Sequence, residues 1–234
     1  MASRSTSAAG KRPEQGASTE AGRPRRRAEQ QRSQATRETI LSAAFAEFAE
    51  KGFETASIRG IADRAGVQHP LITYHFPSKD LLWRATAEAT FARIRQEWDE
   101  QAVRDTGLNP LERLRAEYGV LFRHTVRFPD FHRFMRQEAS THNPRLRWAA
   151  DTVLKPLLDR LLPQIAAAQD QGLLPEVEPI LFHYMMVSLT ATLSEFGPEM
   201  EVTSGVPADR ADVADAYWGL VDRVVFAAAD QSGD

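Results

Sequence analysis

The chain of 234 residues contains no cysteine. Without thiols it can form no disulfide bond, no thiolate zinc site and no iron–sulfur cluster, and it has no cysteine nucleophile. A chain without disulfides fits a reducing compartment, so we expect a cytoplasmic protein. Its length is sufficient to bury a core and to carry a small module beside a larger domain.

Long apolar runs and the common enzyme fingerprints are also missing. No secretory apolar segment precedes Ile40, and the least polar run, 180–194, is too short and too rich in Ser, Thr and His to span a bilayer. The sequence has no phosphate-binding loop, no dinucleotide fingerprint and no Gly-x-Ser-x-Gly motif. We therefore expect a soluble protein that is not an enzyme and that holds no cofactor and no metal ion.

Charge is distributed unevenly along the chain, although the net charge is only −3. The first 32 residues carry eight basic and three acidic side chains, a net charge of +5, which leaves −8 for the remainder. Residues 1–31 are mainly Ser, Ala, Gly, Pro and Arg without apolar periodicity, which predicts a disordered basic arm. Its residues Arg25, Arg26 and Arg27 either contact DNA nonspecifically or serve only solubility.

From residue 32 onward, apolar residues recur at helical spacing and no strand-like alternation persists. This pattern predicts an all-α protein of about nine helices. The first helix should end at Lys51-Gly52, and the third at Pro77-Ser78. These boundaries favour a small three-helix head over residues 32–82 and a larger helical domain over residues 83–234.

Two short helical segments of the head flank a tight turn at Gly66. Ser57 can cap the first segment, and Pro70 is tolerated in the second because the first helical turn needs no N–H from it. Such a pair is typical of the helix-turn-helix, whose second helix enters the major groove of DNA. The apolar spacing leaves five side chains outside the small core: Gln68, His69, Leu71, Thr73 and Tyr74.

These residues resemble the DNA-binding signature of TetR-type transcriptional regulators. The resemblance is carried by SIRGIADRAGV (57–67) and TYHFPSKDLL (73–82), and AAFAEFAEKGF (43–53) is similar to the family's first helix. It covers about residues 36–82. The resemblance implies a homodimeric repressor whose two recognition helices read a palindromic DNA operator. It also implies a C-terminal domain that dimerises and binds a small effector.

The resemblance also implies roles for individual residues of the head. Bases would be contacted by Gln68, His69, Leu71 and Thr73. Phosphates would be held by Ser57, Tyr74 and Lys79. Hydroxyl and ammonium groups are suitable phosphate donors, and a helix N-terminus beside Lys79 would add its own attraction for an anion.

Bulky and polar side chains of the C-terminal domain suggest an effector pocket. The absence of charge from 180–194 favours a largely apolar effector, with His183 and Thr190 as its polar anchors. Ordinary buried residues satisfied by the backbone are the alternative. The candidate pocket residues are Phe122, Phe131, Phe134, Met135, Trp148, Leu158, His183, Met186, Thr190 and Phe196.

The last two predicted helices, about 176–196 and 209–229, are candidates for the dimer interface. A helix that is apolar on more than one face needs partners on more than one side. We therefore expect the pair to pack against its symmetry mate as a four-helix interface. The candidate interface residues are Leu189, Leu193, Tyr217, Leu220, Val221 and Val224.

Two other classes of protein remain possible at this point. A ligand-binding or scaffolding helical protein would keep the C-terminal domain but lack operator recognition. A helical enzyme could use His132, Glu138 and His142, which are close in sequence. These three lack the i,i+4 histidine pair of helical zinc sites, so a Phe-rich helix end followed by a loop is the simpler interpretation.

Overall fold

The computed structural model describes residues 22–104, 107–139 and 143–226, which form helices and turns and include no strand. The predicted all-α class is confirmed. The chain divides into two compact units, residues 1–38 and residues 39–234.

The helices follow one another with short connections. They are α1 (Gly22–Thr55), α2 (Ile58–Ala65), α3 (His69–His75), α4 (Lys79–Arg104), α5 (Pro110–Arg127), α6 (Asp130–Ala139), α7 (Pro144–Ala149), α8 (Lys155–Asp170), α9 (Pro179–Ser204) and α10 (Ala211–Val225). A π-helical turn, Ala150–Leu154, joins α7 to α8. Within the parts of the chain that the structure describes, no helix is long and apolar enough to cross a membrane.

The N-terminal unit contains the first part of α1. This helix begins at Gly22, so residues 22–31 are helical where the composition predicted disorder, while residues 1–21 of the arm lie outside the described residues. Residues 25–31 are Arg, Ala, Glu and Gln, all strong helix formers, and this local propensity explains the difference. Within the same unit, Gln34 Nε2 donates to Glu38 Oε1 at 2.8 Å, one helical turn away.

Gly52 interrupts α1 at the position where the sequence predicted a helix end. Its φ of 71° and ψ of 168° are accessible to glycine and strained for other residues. A Cβ at this position would also lie 2.9 Å from Gln137 Oε1 of α6. The backbone conformation therefore favours glycine here, and an added Cβ would also require the flexible Gln137 side chain to move.

In the head, α2 approaches α1 closely at Gly60. A Cβ on Gly60 would lie 2.5 Å from Oε1 of the buried Glu47. Lys51 Nζ donates to this carboxylate at 2.8 Å and Arg64 Nη2 at 3.3 Å, and Arg64 also pairs with Glu50. Burial alone would raise the pKa of the Glu47 carboxyl group. The two neighbouring cations together lower this pKa by more than burial raises it, so it lies below its usual value. Glu47 is thus a fixed, ionised group that holds α1 and α2 together.

An aromatic cluster joins the head to the C-terminal helices. The Phe134 ring of α6 stacks on Trp83 at 5.5 Å between centroids and contacts Phe45 of α1 at 5.4 Å. Trp148 of α7 meets Trp83 edge-on at 5.8 Å. Trp83 and Phe134 are almost completely buried. One core therefore runs from the head into the C-terminal domain.

Helix α9 continues through Gly197-Pro198, where the sequence predicted a break. Pro198 lacks an N–H and would normally kink or end a helix. Here the helix extends to Ser204, although its buried residues, which include Met186, Leu193 and Gly197, all precede the proline. The last turns of α9 beyond Pro198 are mostly exposed.

We predict that Gly60→Ala lowers the free energy of unfolding by about 1–3 kcal/mol, the usual cost of overpacking. The added methyl group would collide with the Glu47 carboxylate, which its two cations hold in place. Urea denaturation measures the effect. The matched control is Arg59→Ala at the adjacent, exposed position of α2, which should change stability by less than about 0.5 kcal/mol. Equal stability of the two variants would contradict the prediction.

Candidate functional site

Helices α2 and α3 form the predicted two-helix element, and each boundary has a local cause. Ser57 caps α2, its hydroxyl oxygen accepting from the Gly60 N–H at 3.0 Å. Gly66, with φ 66° and ψ 30°, ends α2 in the left-handed conformation that glycine favours. Ile61 and Ile72 are fully buried between the helices. These contacts fix α3 against the head and determine which of its side chains face solvent.

The outer face of α3 presents the side chains that the sequence analysis assigned to bases. Gln68, His69, Leu71 and Thr73 are all exposed. The Thr73 hydroxyl lies 3.5 Å from the His69 carbonyl oxygen, a long and weak contact. The face therefore offers amide, imidazole, hydroxyl and apolar groups, which are the groups that read base edges in a major groove.

Two of the three predicted phosphate ligands are accessible. The Tyr74 side chain is 79% exposed, and its ring meets His75 edge-on. Ser57 is exposed as well, and because its oxygen accepts the capping bond, its O–H remains able to donate. Ser57 precedes α2 and Tyr74 lies in the last turn of α3, so both hydroxyl groups remain accessible beside the exposed face of α3.

Lys79 is placed differently from the prediction. Its ammonium donates to the carbonyl oxygens of Phe53 at 2.7 Å, Ala56 at 3.1 Å and Glu54 at 3.3 Å, and it lies 4.5 Å from the Phe53 ring centroid. A lysine ammonium has three donors, and these three carbonyls use all of them. The structure thus corrects the assignment: Lys79 closes the C-terminal end of α1 and has no donor left for a phosphate.

The C-terminal domain contains a cavity of about 660 Å³ that is lined by residues of all helices from α4 to α9. Four of the predicted pocket residues line it: Phe131, Met135, Leu158 and His183. Sequence reasoning missed Trp98 of α4 and His132 of α6 as lining residues. The helical spacing of His132 and Met135 on α6 was an available signal for a shared face.

Six predicted pocket residues lie elsewhere, because helical periodicity shows which residues share a face but not what that face contacts. They are Phe122, Phe134, Trp148, Met186, Thr190 and Phe196. Phe134 and Trp148 belong to the aromatic cluster around Trp83, and Phe122 stacks on Trp218 at 5.2 Å in a separate cluster. Met186 and Thr190 are buried within the helix packing, whereas Phe196 is 49% exposed.

The polar side chains that line the cavity are His132, His183, Tyr184, Ser188 and the ion pair of Arg136 with Glu195. His183 Nδ1 lies 3.1 Å from the Tyr118 hydroxyl, and His132 Nε2 is buried without a hydrogen-bond partner. Burial lowers the pKa of His183 to about 4 and also lowers the pKa of His132. Burial, with a smaller effect of Glu117, raises the pKa of Tyr118. All three side chains are therefore uncharged at neutral pH.

The helices that line the cavity also contact the end of α1. Arg145 of α7 donates to Glu138 Oε2 of α6 at 3.0 Å and to Glu54 Oε1 of α1 at 3.2 Å. Its guanidinium lies 3.6 Å from the Phe53 ring centroid. Helix α6 thus has one face on the cavity, including Met135, and another face on the head.

The predicted dimer residues divide into exposed and buried ones. Leu220 is 50% and Val224 65% exposed, as an interface between two chains requires. Leu193 and Val221 are 4% exposed, so the structure corrects their assignment: they fill the chain's own core. Two further candidates are partly buried and joined to each other, Tyr217 Oη donating to the Leu189 carbonyl oxygen at 2.9 Å.

Two exposed residues of α9 extend this apolar surface, and the sequence analysis did not assign them. Leu181 is 61% and Met185 45% exposed, and both line a shallow groove together with Val224 of α10. We call Leu181, Met185, Leu220 and Val224 the α9–α10 surface. Large exposed aliphatic side chains on adjacent helices are typical of a protein–protein interface.

Of the three residues that an enzyme could have used, the structure describes Glu138 and His132, and each of these lies in a different environment. Glu138 is paired with Arg145, and His132 lines the cavity. His142 lies outside the described residues. Over the described ranges, no group of three or more His, Asp or Glu side chains could hold a metal ion.

Comparison with known proteins assigns the head to one family. Residues 40–86 match the family model described as "Bacterial regulatory proteins, tetR family". The chain is 28% identical over 181 residues to the HTH-type transcriptional regulator RutR of Escherichia coli, covering 73% of this chain and 79% of RutR. It is 37% identical over 87 residues to the HTH-type transcriptional repressor KstR2 of Mycobacterium tuberculosis, covering 36% and 40% of the two chains.

The fold extends the similarity beyond the head. A TetR family transcription regulator from Marinobacter aquaeolei superposes with a TM-score of 0.64 at 19% identity, over 84% of this chain and 98% of that one. These relatives are transcriptional regulators, consistent with a protein that is not an enzyme. The head therefore belongs to the TetR family of bacterial regulatory proteins, and the chain is a helix-turn-helix DNA-binding regulator of transcription.

Proposed function

We propose that the chain is a homodimeric repressor that binds a palindromic operator and is released by a small, largely apolar effector. The observation that carries the proposal is the outer face of α3, where every predicted base-reading side chain is exposed while Ile72 anchors the helix in the core. Because such a regulator acts on chromosomal DNA, we place it in the cytoplasm. Residues 32–82 would form its DNA-binding head and residues 83–234 its effector and dimer domain.

The proposed DNA contacts follow from exposure and from free donors. Gln68, His69, Leu71 and Thr73 would read bases, and the hydroxyl groups of Ser57 and Tyr74 would donate to phosphates. The basic residues 25–27 in the first part of α1 would add sequence-independent affinity through counterion release. The Lys79 ammonium has no part in this set, because it bonds to three carbonyls.

Dimerisation would use the α9–α10 surface. Its exposed Leu181, Met185, Leu220 and Val224 would be covered by the same residues of a second copy, as two-fold symmetry requires. A two-fold dimer presents its two copies of α3 in opposite orientations, so its operator should be a palindrome.

The effector would act through its preference for one conformation of the dimer. If the effector favours a state in which the two α3 helices no longer match the operator, it weakens DNA binding, and DNA weakens effector binding by the same factor. Helix α6 supports this proposal because it lines the cavity and also contacts the head through Phe134.

Selection of bound duplexes from a randomised DNA pool at about 150 mM salt, where nonspecific binding is weakened, tests the proposal. We expect enrichment of a palindrome and two chains per bound duplex by light scattering. The protein should first be unfolded and refolded, so that a co-purified effector is removed. Failure to enrich any sequence would favour the alternative of a ligand-binding or scaffolding protein without operator recognition.

Base reading by the start of α3 can be tested with Gln68→Ala and His69→Ala. Each substitution should reduce discrimination at one base pair of each half-site by about 1–3 kcal/mol, because one set of hydrogen bonds to a base edge is lost. Affinities for a panel of single-base operator variants measure the effect. The control Gln171→Ala, at an exposed turn after α8, should leave all affinities unchanged. Equal weakening on every operator variant would exclude a base-reading role.

Tyr74→Phe and Lys79→Met should affect different properties of the protein. Loss of the exposed Tyr74 hydroxyl should weaken binding to all operators alike, without change in unfolding free energy. Lys79→Met should lower the unfolding free energy by about 2 kcal/mol, since it removes charged hydrogen bonds to carbonyls at the end of α1, two of which are partly buried.

The salt dependence of operator binding separates the two roles of Lys79. Because its ammonium holds the end of α1, Lys79→Met should leave the slope of log affinity against log salt unchanged. A slope reduced by about 0.9, the value for one phosphate contact, would show that Lys79 binds DNA after all.

A further inference from the structure

We propose that the cavity binds an uncharged, largely apolar molecule through a carbonyl or hydroxyl oxygen that is held by His132 and His183. The role of this molecule as an effector rests on the proposed function, but its chemical class rests on the cavity alone. The proposal follows from an unsatisfied imidazole nitrogen, a fixed donor, the charge balance of the lining and the character of the walls.

The unsatisfied group is His132. Its side chain is 8% exposed and lines the cavity, and its Nε2 has no hydrogen-bond partner. A buried polar atom without a partner is costly, and native proteins rarely contain one without a ligand or water to satisfy it. A polar atom of the bound molecule would remove this cost.

The fixed donor is His183. The Tyr118 hydroxyl is completely buried and 3.1 Å from His183 Nδ1, and donation to this nitrogen satisfies its O–H. A neutral imidazole that accepts at Nδ1 carries its proton at Nε2. His183 therefore has a donor at Nε2, which an oxygen acceptor of the ligand would match.

The charge of the lining favours an uncharged ligand. Of the residues lining the cavity, the charged ones are Arg136 and Glu195, and these form an ion pair at 2.7 Å. Burial lowers the pKa of both histidines, so they contribute no positive charge at neutral pH. A carboxylate placed here would lose its hydration without gaining an unpaired cation, which is unfavourable.

The apolar lining residues determine the chemical character of the rest of the ligand. Phe91, Ile94 and Trp98 of α4 lie on one side, and Phe131 and Leu157 on others. A volume of about 660 Å³ is within the usual range for small-molecule sites. Aromatic and aliphatic walls of this kind stabilise an apolar body by removing it from water.

Three probes with the same bicyclic body test the proposal: 2-acetonaphthone with a ketone, 2-ethylnaphthalene without a polar group, and 2-naphthoate with a carboxylate. Equilibrium dialysis against the refolded full chain, without DNA, gives three dissociation constants. We expect the ketone to bind about 2- to 12-fold more tightly than the hydrocarbon, the range for one net hydrogen bond, and naphthoate to bind most weakly.

The variant His132→Phe should reduce the preference for the ketone over the hydrocarbon, because phenylalanine fills a similar volume without a nitrogen. The control Leu158→Met, also in the lining, should change both affinities by the same factor and leave the preference intact. In the unsubstituted protein, the imidazole 15N resonances of His132 and His183 should shift with the ketone and not with the hydrocarbon. This measurement does not depend on the folding of a variant.

The outcomes separate this proposal from the proposed function. Tighter binding of naphthoate, no binding of any probe, or ketone binding without a histidine shift would each overturn the proposed ligand class, while operator selection would be unaffected. A ketone preference in a protein that selects no operator would support the ligand class and reject the regulator. With both results positive, the ketone can be tested for release of DNA.

Discussion

The stacking of Phe134 on Trp83 is the contact on which the arrangement of the two parts of the molecule depends. Phe134 is on α6, Trp83 is near the start of α4, and Phe45 of α1 also contacts Phe134. Aromatic rings bury large areas and prefer particular relative orientations. Because all three rings are in one core, the head cannot turn on the C-terminal helices without disrupting their packing. The orientation of α3 is thereby tied to the position of α6.

Charged groups reinforce the same junction from its edge. Arg145 contacts Glu138, Glu54 and the face of Phe53. Its guanidinium therefore connects α6 of the C-terminal domain to the end of α1. Lys79 lies over the same ring and donates to carbonyls at that end. The end of α1 is therefore held by two cations. This explains why the lysine of a DNA-binding signature has a structural role here.

The sequence predicted the head well because its signals are local. The cap at Ser57 and the helix end at Gly66 depend on the chemistry of one or two residues, and the structure has them as predicted. At Gly52 the structure interrupts α1, which continues to Thr55. The cavity was harder to predict. A bulky aromatic residue such as Phe134 is common in ligand pockets. Whether it faces a cavity or the core depends on helices that are far away in sequence. His132 was considered only as a catalytic group, because its lack of a partner is visible only in three dimensions.

The two faces of α6 give the proposed regulation a physical basis. Met135 and His132 of α6 line the cavity. Phe134 contacts Phe45 of the head, and Glu138 pairs with Arg145, which also binds the end of α1. A closely packed core is not continuously deformable, so a ligand that moves α6 must either shift the head with it or break contacts that stabilise the junction. If the head shifts together with α6, the ligand can act on the head without contacting it. In the proposed function, the packing around Phe134 would therefore convert occupation of the cavity into a change in the position of α3.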